Sequence, residues 1–174
     1  MVQQTKGQFQ AAEIHFQEGL SLGRAIGSPR NIGSFLIMYA ALLKSEERYH
    51  EAGEMLQESL AIGKAEMDQW LIAVSLQHLS SMTVQNSSAD NPEALQMIGE
   101  SVSLFRELGD RWGLAISLTY LGRIYITRGQ LIEARRHFLD AIRILLLSCW
   151  MYWLTLLLWR SRRGNTKQQV SSLT

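Results

Sequence analysis

The sequence predicts an all-α fold, an α-solenoid of antiparallel helical hairpins with about eight helices. Three observations predict it. A segment recurs along the chain at intervals of 40–42 residues. Within each copy the apolar residues fall at i, i+4 and i+8, which is one face of a helix and not of a strand. Only Pro29 and Pro92 interrupt the 174 residues, so long stretches are free to run as helix.

The repeat is anchored by Ala12, Ala52, Ala94 and Ala134, spaced 40, 42 and 40. Four residues after each comes a bulky apolar residue: Phe16, Leu56, Ile98 and Phe138. Four further on stand Leu20, Leu60, Val102 and Ile142. A second helix type alternates with this one, beginning near Asn31, Gln69, Arg111 and Trp150. Trp70 matches Trp112, and Leu36, Leu76 and Leu118 correspond. Tyr39, Leu79 and Leu121 correspond too, each followed by a small residue, Ala40, Ser80 or Gly122, that lets a partner helix approach closely.

In chain order the helices are expected at 8–26, 30–44, 48–65, 69–84, 92–108, 111–127, 131–147 and 150–160. Gly27-Ser-Pro, Met67-Asp, Gly109-Asp and Arg128-Gly-Gln supply the stop and start signals between them. The two extra residues of the 42-residue interval fall in Asn86-Ser-Ser-Ala-Asp-Asn-Pro, a loop composition in which Asp90 or Asn91 caps the helix that Pro92 opens. The domain organisation read from this pattern is a repeat array over 1–149, an apolar helix over 150–160 and a disordered polar tail over 161–174.

The third repeat resembles the tetratricopeptide consensus. It reads Leu118-x-x-Leu121-Gly122-x-x-Tyr125 and then Ala134-x-x-x-Phe138-x-x-Ala141, with Leu118 in place of the family's tryptophan. The resemblance extends more loosely over residues 7 to 149, through Leu36, Tyr39, Ala40, Ala52, Leu56 and Ser59 in the first repeat and Leu76, Leu79, Ser80, Ala94, Ile98 and Ser101 in the second. The unit is longer than the family's ordinary 34 residues. Together with the joint Ser103-Leu-Phe-Arg-Glu-Leu-Gly-Asp-Arg-Trp-Gly-Leu-Ala it resembles the long-repeat arrays of MalT-like and other LuxR-type bacterial signalling regulators. There the array is a sensor or scaffold, and the ATPase and DNA-binding modules lie elsewhere. This sequence has no G-x-x-x-x-G-K-[ST] loop and no separate helix-turn-helix segment.

The resemblance implies a non-enzymatic scaffold or sensor array that binds a protein or peptide on a concave side lined by the first helix of each repeat. Carried over position by position, that side comprises Ser34, Ile37, Ala41 and Lys44, then Val74, Gln77, Ser81 and Val84, then Ile116, Thr119, Arg123 and Ile126. The set is mostly neutral and holds two cations. It lacks the Lys/Asn/Arg combination with which some family members clamp a C-terminal carboxylate, so a helix or extended segment with apolar anchors is the expected ligand.

No catalytic constellation stands out. His15, His50, His78 and His137 pair neither with each other nor with a cysteine at metal-ligand spacing, so no metal and no cofactor are expected. Glu46, Glu47, Glu51, Glu54 and Glu58 cluster, but on the polar side of an amphipathic helix and its preceding turn, which favours a solvated face over acid–base chemistry. No G-x-S-x-G elbow surrounds any serine. Trp70 and Trp112 are expected to pack on the adjacent hairpin, with an aromatic anchor for a ligand as the alternative. A net charge of +1 gives no basic footprint for nucleic acid. The single thiol, Cys149, suits a reducing compartment, and no secretory signal opens the chain, which together point to the cytoplasm.

From Ile144 to Trp159 no residue is charged. The segment can be the start of a further hairpin, an altered C-terminus where the repeat code stops, or a short membrane anchor. A spanning helix needs about 20 apolar residues. A small-molecule sensor and a membrane-anchored adaptor are therefore the alternative functions. An apolar end without a polar cap leads to the expectation of self-association. The chain is also expected to begin and stop in mid-repeat, as a piece of a longer array would.

Overall fold

In the computed structural model, residues 2–86 and 91–148 are described, with side chains from residue 9 to 84 and from 91 to 148. The predicted helix over 150–160, the polar tail, Cys149 and Asp90 lie outside them. Seven helices and no strand occur among the described residues. They are α1 (Val2–Ile26), α2 (Pro29–Ser45), α3 (Tyr49–Ala65), α4 (Gln69–Asn86), α5 (Pro92–Glu107) and α6 (Arg111–Thr127), followed by α7, described over 131–148. Each helix packs antiparallel on the next, giving the solenoid of hairpins that the repeat predicts.

Two boundaries depart from expectation. The first helix starts at Val2, six residues before the expected residue 8, because nothing in that stretch except Gly7 opposes helix, and a glycine weakens a helix without ending it. The fourth runs to Asn86, into the stretch expected as loop. At the start of α5 it is Asn91 that caps, accepting from Glu93 N at 2.9 Å with Pro92 in the first turn.

Five helix ends share one device. Gly27, Glu47, Met67, Gly109 and Gly129 all have positive φ, between 53° and 71°. In each case the next amide reaches back five residues: Ser28 N to Gly23 O, Arg48 N to Leu43 O, Asp68 N to Gly63 O, Asp110 N to Phe105 O and Gln130 N to Tyr125 O, at 2.9–3.1 Å. This is the Schellman closure, which satisfies carbonyls that the helix end would otherwise leave unpaired. Three joints use glycine; Glu47 and Met67 adopt the same left-handed conformation against the steric preference of a side chain.

The helix interfaces depend on small residues facing large ones. The Leu71 side chain lies where a Cβ on Gly33 would stand, and the Phe105 ring where one on Gly113 would. Gly19 faces Phe35 and Gly122 faces Phe138, each leaving 2.9 Å for a hypothetical Cβ. Behind these contacts Leu36, Leu43, Leu56, Leu71, Ile98 and Phe105 are buried completely or nearly so.

Polar pairs also sit in the core. Ser59 donates to Gly33 O at 3.1 Å and accepts from Ser75 at 3.0 Å. One repeat later Ser101 donates to Ala73 O at 2.8 Å and lies 3.0 Å from Ser117, which donates to Gln77 Oε1 at 2.9 Å. All four serines are fully buried, and their hydroxyls tie each second-type helix both to its own partner and to the next hairpin. At one edge Arg48 gathers Glu13, Glu46 and Glu51, and Tyr39 donates to Glu13 at 2.6 Å, which fastens α1 to the turn after α2.

Two variants test these constraints by urea unfolding. Met67→Gly should raise stability by about 0.5–1 kcal/mol, since it removes the left-handed strain at an exposed joint and returns only the chain-entropy cost of glycine. Gly113→Ala should lower it by about 1–3 kcal/mol, because the Phe105 ring has to give way; an unchanged midpoint would show that this interface is looser than its geometry.

Candidate functional site

Curvature places the candidate site. The backbones of α2 and α4, and of α4 and α6, come close, whereas those of α1 and α3, and of α3 and α5, do not; α1 and α3 are joined by the exposed Arg24–Glu58 ion pair. The first-type helices therefore lie closer together than the second-type ones, and the stack bends toward them. The concave strip is built from α2, α4 and α6, the helices that carry the twelve positions expected from the sequence.

The structure divides those twelve. Ile37 is buried and belongs to the core cluster with Leu36 and Leu43, and half-buried Val74 packs against the same cluster. Gln77 is buried and holds Ser117. Ser34 is half-buried and bonds back to Arg30 O in its own helix, and exposed Thr119 does the same to Ala115 O. Ala41 is exposed and Ile116 half-buried. The remaining five, Lys44, Ser81, Val84, Arg123 and Ile126, come together at the C-terminal ends of the three helices.

There Ser81, Val84, Arg123 and Ile126 border a cavity of about 210 Å³. Ser81 and Val84 of α4 form one wall, and Tyr120, Arg123, Ile124 and Ile126 of α6 the other. The wall is almost wholly apolar in surface, with the charges at its rim. Lys44 reaches in from α2 and donates to Ser81 Oγ at 2.8 Å. Burial lowers the Lys44 pKa from the usual lysine value, and the neighbouring Arg123 charge lowers it further. The Arg123 guanidinium lies 5.7 Å from the Tyr120 ring centroid. Among the described residues no carboxylate forms an ion pair with Lys44 or Arg123.

His78 stands beside this group in α4. Burial pushes its pKa down to about 4, and the Lys44 charge adds to the effect. Nothing in the local pattern signals this: a histidine four residues before Met82 on a helix with little amphipathic contrast can face in or out. Tyr120 and Ile124 were likewise invisible as cavity residues, because the cavity lies between two helices, α4 and α6, that are separate in sequence. Of the other histidines, His137 has a buried Nδ1 with no hydrogen-bond partner and a pKa lowered by burial. His15 and His50 are exposed beside Glu18 and Glu54, and His137 stacks on Tyr125 at 5.2 Å.

The two matched tryptophans part company. Trp70 donates to Asp110 Oδ2 at 3.2 Å, and Arg30 lies over its ring while pairing with Asp68. Trp112 is 68 % exposed. Asp68 and Asp110 also cap α4 and α6, accepting from Leu71 N and Gly113 N. The glutamates of the acidic cluster divide between ion pairs on the helix surface and solvent: Glu46 and Glu51 with Arg48, Glu58 with Arg24. No group of three or more His, Cys, Asp or Glu side chains able to hold a metal occurs among the described residues, and no described helix is long and apolar enough to cross a membrane.

Comparison with known families agrees with this geometry. Residues 114–145, which comprise most of α6 and α7, match the family model of the tetratricopeptide repeat. No curated protein matches the chain.

The buried histidine makes a prediction. A group whose folded pKa lies below its unfolded value leaves the unfolded chain holding more protons between the two, so stability falls as pH drops from about 6.5 to about 4. The loss attributable to His78 should reach about 3 kcal/mol. Comparing urea unfolding of the wild type and His78→Gln over this range measures it, and a variant that retains the full slope would place the titration elsewhere.

Proposed function

We propose that this chain, which carries a tetratricopeptide repeat within an all-helical array, is a non-enzymatic scaffold that binds a protein through an extended or helical peptide segment laid along the concave strip of α2, α4 and α6. The observation that carries this reading is the apolar cavity between α4 and α6, with Arg123 in its wall and Lys44 of α2 held beside it on Ser81. Tetratricopeptide repeats generally bind proteins or peptides, and the groove here is open along its length in the way such a segment needs. Ligand pockets for small molecules run from about 300 to 1,000 Å³. At about 210 Å³ the cavity is sized for a single bulky side chain, which favours a peptide over a small-molecule ligand.

The 40–42-residue period and the Leu-Gly-Asp-Arg-Trp joint at Leu108–Trp112 support a finer reading, in which the array serves as the sensor or scaffold region of a bacterial signalling or transcriptional regulator. The exposed apolar side chains Trp112, Leu146 and Leu147 at the α6–α7 end support self-association there.

Peptides selected on the folded chain from a random displayed library test the groove. Their affinity should fall about tenfold or more in Ala41→Asp, Arg123→Glu or Ile126→Asp, all at exposed positions, and stay unchanged in Glu54→Lys on α3. Ile37 and Gln77 are unsuitable probes, because their burial mixes loss of fold with loss of binding. Selected peptides that bind all three groove variants as well as the wild type would move the site off this strip.

A further inference from the structure

We infer that the α2–α4–α6 end of the groove recognises an acidic–apolar element, a bulky apolar side chain flanked within one or two residues by Asp or Glu in the interior of a partner's peptide segment. The inference rests on the groove reading above and gives it a ligand chemistry.

The cavity decides the apolar half. Val84, Ile124 and Ile126 offer almost no polar surface to its interior, so an apolar side chain entering it removes hydrocarbon surface from water on both sides. Tyr120 adds an aromatic wall, with the Arg123 guanidinium 5.7 Å from its ring centroid.

The rim decides the acidic half. Two cations stand within electrostatic reach of one another, and neither forms an ion pair with a carboxylate of the described residues. Lys44 is half-buried and has only the neutral Ser81 hydroxyl as partner. Its ammonium carries three donors, so positions for an acceptor remain. By contrast, Arg24, Arg30, Arg48, Arg136 and Arg143 each pair with a carboxylate. Two like charges held together beside a water-poor apolar surface repel one another, and an incoming carboxylate relieves that repulsion while gaining two partners. Neutral, basic and purely apolar segments gain nothing at the rim.

A carboxylate at a chain terminus offers the same group, but the cavity next to the rim asks for a side chain that continues past it, and the strip on Ala41, Ile116 and Thr119 extends beyond it. An internal acid beside an apolar anchor meets both demands.

The probe is a phage-displayed library of random 12-residue peptides panned on the full chain at about 0.1 M salt. Enriched sequences should share Asp or Glu within two residues of Leu, Ile, Met or Phe. Synthetic copies in which the acid becomes its amide should bind about tenfold more weakly, and should no longer respond to Arg123→Gln or Lys44→Met; Lys44→Arg should retain binding. Salt at 1 M, where the screening length shrinks from about 10 Å to about 3 Å, should weaken the acidic peptides more than their amide copies. Enriched peptides without acids, or amide copies that bind equally well, would overturn this inference and leave the groove reading intact. No enrichment, or enriched peptides indifferent to Arg123→Gln, Lys44→Met and Ile126→Asp alike, would overturn both. Saturable binding of decanoate in the absence of any enriched peptide would also overturn both, and would assign the cavity to a small amphipathic acid.

Discussion

The array holds together where a second-type helix meets its first-type neighbours, as α3 meets α2 and α4 and α5 meets α4 and α6, and one small residue sits at that crossing. It is Gly19 at the first joint, Ser59 at the second, Ser101 at the third and Ala141 in α7, at offsets of 40, 42 and 40. Ser59 and Ser101 do the same work in successive repeats, each donating to a carbonyl of its own hairpin partner and meeting a serine of the following one. Two hydroxyls back to back allow a closer approach than two hydrocarbons of the same reach, and each contact satisfies a group that burial would otherwise leave unpaired. At the first joint Phe35 takes the place of the partner serine, and the small residue shrinks to Gly19 to admit the ring. The helix spacing is thus kept by exchanging volume and polarity across one contact.

Everything downstream follows from that spacing. Because the second-type helices are tied at this point and their backbones stay apart from each other, successive first-type helices come into direct contact and the stack curves toward them. The left-handed residue at five of the joints fixes where a helix stops and how the chain re-enters the next, so these joints repeat although three use glycine and two do not. The concave strip inherits its register from these two devices. Lys44, Ser81 and Arg123 meet because they stand near the same end of three helices whose order and offset are already set.

Most of the fold was legible because it rests on periodicity. The alanine anchors, the i, i+4, i+8 apolar face and the Gly-Asp joint at Gly109 and Asp110 are local patterns, and helices obey local patterns. The family spacing assigned the concave positions to α2, α4 and α6, the helices whose backbones approach one another across the stack. It could not separate Ile37 and Gln77, which turn into the core, from Arg123 and Ile126, which do not, because neighbouring positions on one helix differ by a rotation that only the partner helices define. Trp70 and Trp112 make the same point. They are equivalent by repeat, yet one finds Asp110 within hydrogen-bond reach and the other stands exposed.

The sequence by itself determined the number, type and order of the described helices and their assembly as hairpins, since amphipathic spacing and turn residues act within a few positions of the chain. Only the tertiary structure decided the chemistry of the groove. The depressed Lys44 and His78, the cavity against Tyr120 and Ile124, and the pairing of Lys44 with Arg123 across about eighty residues all depend on desolvation and charge proximity between separate helices. Those quantities are properties of the packed arrangement, and no stretch of sequence carries them alone.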